Sequence, residues 1–176
     1  LVSVSDKKNI IPFCKELVEK FNYKILSSGG TAKHLIDAKI PVIKIADFTN
    51  SPEILGGRVK TLHPKIHGGI LAKRADEEHK KDIETNDLEL IDLVVVNLYP
   101  FKKTIEKGSQ WEHAIENIDI GGPSMIRSAA KNHKDVSVLV DPSQYKEFIE
   151  ESKKGELKDS YSCLLYTSDA ADDANC

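Results

Sequence analysis

Cysteine, aromatic residues and long apolar runs are all scarce in this sequence. Its three cysteines, Cys14, Cys163 and Cys176, show none of the paired spacings of zinc sites or disulfide frameworks. No stretch approaches the roughly 18 apolar residues that span a bilayer. A net charge of −3 gives no whole-molecule field that would attract nucleic acid. We therefore expect a cytoplasmic protein with no metal, membrane or nucleic-acid partner, in which a local site binds any anion.

Length and composition favour one domain. The chain has 176 residues, of which 40% are hydrophobic, enough for a single core. Its start falls directly inside a strand-like segment, and residues 164–173 resemble translated sequencing-adaptor read-through. We therefore assign residues 1–161 to the domain and treat 162–176 as a non-native tail.

Short β-branched runs alternate with segments of helical period, which predicts an α/β fold: a three-layer, Rossmann-like domain with a mostly parallel central sheet. Cys14 shares helical spacing with apolar neighbours and is expected to be buried. Residues 46–68 lack a clear period and are predicted to form a long functional loop. The predicted strands are 2–5, 24–26, 42–45, 93–96 and 136–140, and the predicted helices lie near 8–21, 31–38, 76–85, 111–116, 123–132 and 143–153.

Residues 27–31 follow one predicted strand and open a predicted helix. The free N–H groups of the helix start, with the hydroxyls of Ser28 and Thr31, could hold a phosphate, and Lys7 could add a positive charge. A tight turn with an ordinary N-cap at Ser28 or Thr31 explains the same residues. Both interpretations stay open at this point.

A second candidate is a cationic loop that contains Arg58, Lys60 and Lys65 and is flanked by two glycine pairs. A solvated basic loop is the alternative, but the glycines favour a constrained loop whose backbone approaches a ligand closely. His63 and His67 stand four residues apart, as metal ligands do on a helix. We predict no zinc site there, because Pro64 argues against one helical turn presenting both.

Two further segments carry groups suited to acid/base chemistry. Tyr99 precedes Pro100, which restricts its backbone and fixes where its hydroxyl points, so the phenol could donate a proton, although from this motif alone a ring capping the core edge is the favoured interpretation. Asp119 lies between Ile118 and Ile120, so we expect a carboxylate among buried neighbours that needs a partner. The helix that follows has a polar stripe that either lines a site or faces solvent, made by Ser124, Arg127, Ser128 and Lys131.

Six motifs occur in order along the chain, at 3–7, 28–31, 57–64, 97–101, 117–122 and 129–133. Together they closely resemble those of the inosinate (IMP) cyclohydrolase domain of bifunctional purine-biosynthesis enzymes. The resemblance covers nearly all of residues 1–153. It implies a methylglyoxal-synthase-like fold, usually dimeric, that closes the ring of 5-formamidoimidazole-4-carboxamide ribonucleotide (FAICAR) to give IMP, without a metal or cofactor. The transformylase domain that follows in the family is absent from this chain.

The resemblance also implies the site residues. Four positions match the family's catalytic residues, namely Lys60, Tyr99, Asp119 and Lys131. Matches to nucleotide-binding positions, or positions inside the same motifs, are Ser3, Ser5, Lys7, Ser28, Gly29, Gly30, Thr31, Arg58, Thr61, Asn97, Ile120 and Gly121.

One hypothesis is that Lys131 and Asp119 relay a proton at the carboxamide, while Lys60 and Tyr99 stabilise the departing formyl oxygen. Two rival functions use the same fold: a non-catalytic regulatory module that binds phosphorylated nucleotides, and a methylglyoxal-synthase-type lyase. The presence of Tyr99, Asp119 and Lys131 favours catalysis, and the long cationic loop favours a nucleotide over a triose phosphate.

Overall fold

The structure is a computed structural model that describes residues 1–98 and 111–155. The strands are β1 Val2–Val4, β2 Ile25–Ser27, β3 Val42–Lys44, β4 Leu93–Asn97 and β5 Ser137–Leu139. The helices are α1 Ile10–Phe21, α2 Gly29–Asp37, α3 Ile45–Thr49, α4 Pro64–Leu71, α5 Glu77–Thr85, α6 Trp111–Glu116, α7 Gly121–Lys131 and α8 Gln144–Lys154, with a 3₁₀ turn at Leu55–Gly57.

All five strands join one sheet in the order β3-β2-β1-β4-β5, and every pairing is parallel. The chain therefore moves outwards from β1 to β3 and then crosses back to β4 on the other side of β1. In such a sheet a crevice opens between the carboxyl ends of the two strands where the order reverses. Here those strands are β1 and β4, whose last residues, Val4 and Asn97, are register partners.

Strand β4 is buried on both faces, as its uninterrupted apolar run predicted. Leu93 and Val95 pack in one apolar cluster with helices α1 and α8. Val94 and Val96 pack in a second cluster with helices α3, α4 and α7. The sheet thus lies between two helical layers, which confirms the predicted three-layer α/β fold.

The α1–α8 layer also confirms the expected burial of Cys14. Its side chain has no exposed surface, and burial raises the pKa of the thiol to about 12. The neighbouring Phe13 ring stacks on Tyr145 of α8 with ring centroids 4.4 Å apart. The thiol therefore stays protonated near neutral pH and serves as a small apolar side chain.

The prediction of one long irregular loop at 46–68 is wrong. This segment contains most of α3, the 3₁₀ turn and the start of α4. Pro64 begins α4 instead of preventing it, because proline suits the first helical position, where no N–H partner is needed. His63 caps this helix, with its Nδ1 accepting from the Lys65 N–H at 3.1 Å.

Predicted boundaries elsewhere agree with the observed ones to within two residues, and those of α6 agree fully. Helices α2 and α7 both begin two residues earlier than expected, at Gly29 and Gly121. Within residues 1–98 and 111–155, no helix is long and apolar enough to cross a membrane. The predicted boundary between domain and tail lies outside the described residues.

Candidate functional site

Asn97 joins the carboxyl ends of β1 and β4. Its Oδ1 accepts hydrogen bonds from the backbone N–H groups of Ser5 at 2.7 Å and Asp6 at 2.8 Å. Its Nδ2 donates to the Asp6 carbonyl at 2.9 Å. The amide of Asn97 therefore shapes the loop that carries Ser5 and the exposed Lys7. Ser3 lies inside β1, one residue before Val4.

Thr31 attaches helix α2 to β1. Its hydroxyl accepts from the Val4 N–H at 3.1 Å and donates to the Val4 carbonyl at 3.0 Å, and the residue is only 6% exposed. The hydroxyl proton is therefore used inside the fold and is not available to a phosphate. What Thr31 contributes is the position of the helix start beside the end of β1.

The residues at the start of α2 face outwards. Ser28 has extended backbone at the N-cap position, but its side chain makes no capping hydrogen bond. Gly29 and Gly30 are both exposed, and Gly29 has a φ of 52°, which favours glycine. The ordinary N-cap interpretation of Ser28 is therefore not what the structure shows. Its hydroxyl and the first N–H groups of α2 are placed to meet an anion.

Lys60 reaches this helix start from the cationic loop. If Gly29 carried a Cβ atom, that atom would lie 3.2 Å from Nζ of Lys60. A Cβ atom at Gly57 would lie 2.8 Å from Cε of Lys60. Glycine at both positions thus leaves room for the lysine side chain. The ammonium also pairs with Glu53, with Nζ 3.3 Å from Oε2. A cleft of about 400 Å³ opens here, lined in part by Ser28, Gly29, Lys33, Lys44 and Glu53.

The start of α7 packs against the same loop. Thr61 is buried, and a Cβ on Gly121 would lie 2.5 Å from its Oγ1. The Gly122 N–H donates to Asp119 Oδ1 at 2.8 Å. A Cβ on Gly122 would lie 2.6 Å from Asp119 Oδ2. The structure therefore joins the Lys60–Thr61 segment to the helix start that holds the Asp119 carboxylate.

The expected reason for the position of Asp119 is wrong. Ile118 is 49% exposed and Ile120 is 59% exposed, so the carboxylate does not emerge among buried neighbours. A backbone N–H holds it instead. This arrangement leaves Asp119 half-buried, so that a carboxylate at this position can accept a ligand proton.

Lys131 lies at the other end of α7. It is exposed and is the tenth residue after Gly121, so the helix rise alone places their Cα atoms about 15 Å apart. The structure therefore does not bring Lys131 and Asp119 together for direct proton transfer within the chain. Arg58 pairs with Glu116 of α6 at 2.8 Å, and both side chains are mostly exposed. Tyr99 lies outside the described residues.

The polar stripe of α7 partly packs against α4. The Ser128 hydroxyl donates to the Ser124 carbonyl at 2.9 Å, so it can only accept from His67 Nδ1, also 2.9 Å away. His67 therefore carries its proton on Nδ1. Its Nε2 is buried without a hydrogen-bond partner, and burial lowers the pKa of this histidine. A second proton on Nε2 would be a buried donor without an acceptor.

Two residues of this region were missed at the sequence level. The ion pair of Glu53 with Lys60 follows from an antiparallel bridge between Ile54 and Val59. A glycine pair between β-branched residues is a hairpin signal, and it could have placed Glu53 opposite Lys60.

His67 was considered only as a metal ligand. In the described part of the chain, no three His, Cys, Asp or Glu side chains cluster closely enough to hold a metal ion.

A family model described as the MGS-like domain matches residues 9–124. The chain belongs to this MGS-like family. A solved structure, the crystal structure of ForH, supports the MGS-like fold with a TM-score of 0.76 at 34% identity, covering 99% of this chain and 89% of that one.

Curated relatives of this MGS-like chain are longer proteins. The bifunctional purine biosynthesis protein PurH of Prochlorococcus marinus strain MIT 9301 is 89% identical over 165 residues, which is 94% of this chain and 32% of PurH. The PurH of strain CCMP1986 / NIES-2087 / MED4 is 90% identical with the same coverage, and that of strain NATL1A is 59% identical over 92% of the chain and 32% of PurH. The chain thus spans about a third of the length of these relatives.

Proposed function

We propose that this MGS-like domain is an IMP cyclohydrolase that closes the purine ring of FAICAR in the last step of de novo purine biosynthesis. One observation carries the proposal. The start of α2, which Thr31 holds at the end of β1, lies beside Lys60, and Thr61 packs against the helix start that holds Asp119, in a chain 89% identical to a protein named bifunctional purine biosynthesis protein PurH. We also propose a cytoplasmic homodimer, normally fused to a transformylase domain, which is consistent with the chain spanning a third of a bifunctional relative.

The reaction needs proton transfer more than it needs a cofactor. The carboxamide nitrogen bonds to the formyl carbon, and the formyl oxygen leaves as water. The two protons of that water come from the carboxamide and formamide nitrogens. Both reacting groups sit on one imidazole ring, so the substrate itself provides most of the proximity, and the protein selects the reactive rotamer. Positioned acid and base groups then contribute about 10²–10⁴-fold each.

The site suggests a division of roles. Ser28, Gly29 and Gly30, together with Lys7, bind the phosphate at the positive end of α2. Asp119 accepts the carboxamide proton, since Gly122 holds its carboxylate in place. Tyr99 stabilises the formyl oxygen as it departs, while the Lys60 ammonium, which lies beside Gly29, pairs with the phosphate. Because α7 separates Lys131 from Asp119, we propose that Lys131 contacts the nucleotide at a different point from Asp119.

The remaining predicted residues support this set. Thr31 and Asn97 position the loops around the phosphate, as their hydrogen bonds with β1 and the loop after it indicate. Ser3, Ser5, Arg58, Thr61, Ile120 and Gly121 complete the proposed binding set.

The test is the absorbance change when the purified chain is mixed with FAICAR, without metal or folate. We expect turnover, and we expect Asp119→Asn to reduce it by about 10²-fold or more. The matched control is Asp82→Asn, the same change on the exposed side of α5, which should retain full activity.

Other outcomes would contradict the proposal. Tight IMP binding without turnover would indicate a regulatory nucleotide-binding module. Formation of methylglyoxal from dihydroxyacetone phosphate would indicate a lyase. An Asp119→Asn variant with turnover close to that of the unchanged chain would exclude this carboxylate as the base.

A further inference from the structure

The Glu53–Lys60 ion pair follows from a tight hairpin. Ile54 and Val59 form an antiparallel bridge, with N–H···O distances of 3.2 Å and 3.4 Å. Directly paired residues bring the next residue on each side into opposition, so Glu53 and Lys60 face each other. The turn between them uses Gly56 and Gly57 with φ values of 64° and 90°. The backbone geometry of the hairpin therefore places the Glu53 and Lys60 side chains next to each other.

The ammonium of Lys60 lies between two groups. Glu53 Oε2 is 3.3 Å from Nζ, and a Cβ built on Gly29 would be 3.2 Å from the same atom. Glu53 and Gly29 also line the same cleft at the start of α2. The Glu53 carboxylate therefore already pairs with the Lys60 ammonium at the point where the start of α2 would bind a ligand's anionic group.

We propose that Glu53 is an internal competitor of the anionic ligand for Lys60. Its carboxylate neutralises the ammonium before a ligand binds and lowers the affinity for any phosphate that binds at the start of α2. The arrangement makes binding depend on the rest of the nucleotide and favours release of a product that keeps the same phosphate. This role rests on the proposed function, because it assumes that the site holds a nucleotide phosphate.

The alternative is that Glu53 aids binding by holding Lys60 in place. That benefit is small, because the two side chains are 32% and 36% exposed and such pairs order their partners weakly. Competition is the larger effect, because the ammonium must give up its contact with the Glu53 carboxylate before it can pair fully with a phosphate, and this loss exists only while Glu53 carries its charge. Competition for Lys60 therefore decides the sign of the expected change.

The test measures the affinity for inorganic phosphate by NMR at constant ionic strength, following the amide resonances of Gly29 and Gly30. We expect Glu53→Gln, which keeps the shape of the side chain and removes its charge, to bind phosphate about five to ten times more tightly. IMP should gain affinity in the same direction. The control is Glu16→Gln, which removes the acid of an exposed Lys20 ion pair on α1 and should leave the affinity unchanged.

A second background shows whether Glu53 acts through Lys60. In a Lys60→Met chain, Glu53→Gln should raise the phosphate affinity less than twofold, because no ammonium remains to be released from Glu53. Equal gains in both backgrounds would overturn the proposal, as would an unchanged or weaker phosphate affinity in Glu53→Gln alone. Absence of any shift at Gly29 and Gly30 would show that α2 holds no anion. Since phosphate binding needs no turnover, these results stand apart from the cyclohydrolase test.

Discussion

The imidazole of His67 is held so that only one ring nitrogen can carry a proton comfortably. Its Nδ1 donates to Ser128, and its buried Nε2 has no partner. Burial lowers the pKa of this histidine below its ordinary value of 6.5. The unfolded chain therefore takes up the proton at a higher pH than the folded chain does.

We expect this difference to lower stability in mild acid. Above about pH 7 His67 is neutral in both states and has no effect, whereas below about 6.5 the unfolded state gains the proton first and the free energy of unfolding falls. His67→Gln removes the titration and should lose less stability than the unchanged chain between pH 7.5 and pH 5.5. Urea unfolding at the two pH values measures this loss.

The comparison needs a histidine in another environment. His34 lies on α2, which packs through Leu35 into the other apolar cluster. His34→Gln should keep the pH dependence of the unchanged chain. Equal losses in all three chains would mean that His67 is not the group whose protonation couples to unfolding.

At the level of single residues, the sequence predicted side-chain types better than side-chain partners. The resemblance named Lys60, Thr61 and Asp119, and the structure joins their segments around the start of α7. The resemblance could not show that the Thr31 hydroxyl hydrogen-bonds to the backbone of Val4, because those bonds depend on how α2 packs against β1. The burial expected beside Asp119 failed for the same reason, since exposure is set by packing between distant segments.

At the level of elements, helix α4 shows how a glycine pair can serve two different purposes. A Cβ on Gly69 would collide with the backbone carbonyl of Glu89 and approach Ile91 at 3.3 Å. The Ile91 N–H also donates to the Gly69 carbonyl at 3.0 Å. Gly69 thus lets α4 pack directly against the segment that leads into β4. A Cβ on Gly68 would meet only the side chain of Leu88, at 3.0 Å.

We expect Gly69→Ala to lower the free energy of unfolding by about 1–3 kcal/mol, because the backbone at Glu89 must move. Gly68→Ala is the matched variant one residue away on the same helix. It should be neutral or stabilising by up to about 1 kcal/mol, since Leu88 can rotate and alanine favours helix. Urea unfolding at pH 7.5 separates the two, and equal effects would show that Gly69 is not needed for close packing.

Helix α4 also shows why some elements could not be predicted from local pattern. Its eight residues include two glycines and a proline, so its intrinsic helix preference is poor. The helix is stable because Ile66 and Ile70 are fully buried in the second apolar cluster. By contrast, α1 and α8 have long amphipathic patterns, and the sequence predicted both within about two residues.

At the level of the whole molecule, strand order is the property that local pattern does not carry. Alternating strands and helices predicted a parallel sheet, and that prediction is confirmed. The reversal of order between β1 and β4 depends on which strands pair, and it is this reversal that brings Asn97 to the loop after β1. The candidate site is thus a consequence of topology, although its residues come from separate short motifs.

Among residues 1–98 and 111–155, the last member of either apolar cluster along the chain is Ile149. Helix α8 ends at Lys154 and is followed by Gly155, whose φ of 70° is typical of a helix stop and whose N–H donates to the Glu151 carbonyl. We therefore expect a chain that ends at Tyr161 to have the same urea midpoint and slope as the full 176-residue chain. A chain that ends at Ser143 lacks Phe148 and Ile149 and should not fold cooperatively. A clearly lower midpoint for the chain ending at Tyr161 would show that residues 162–176 contribute to stability, against their assignment as a non-native tail.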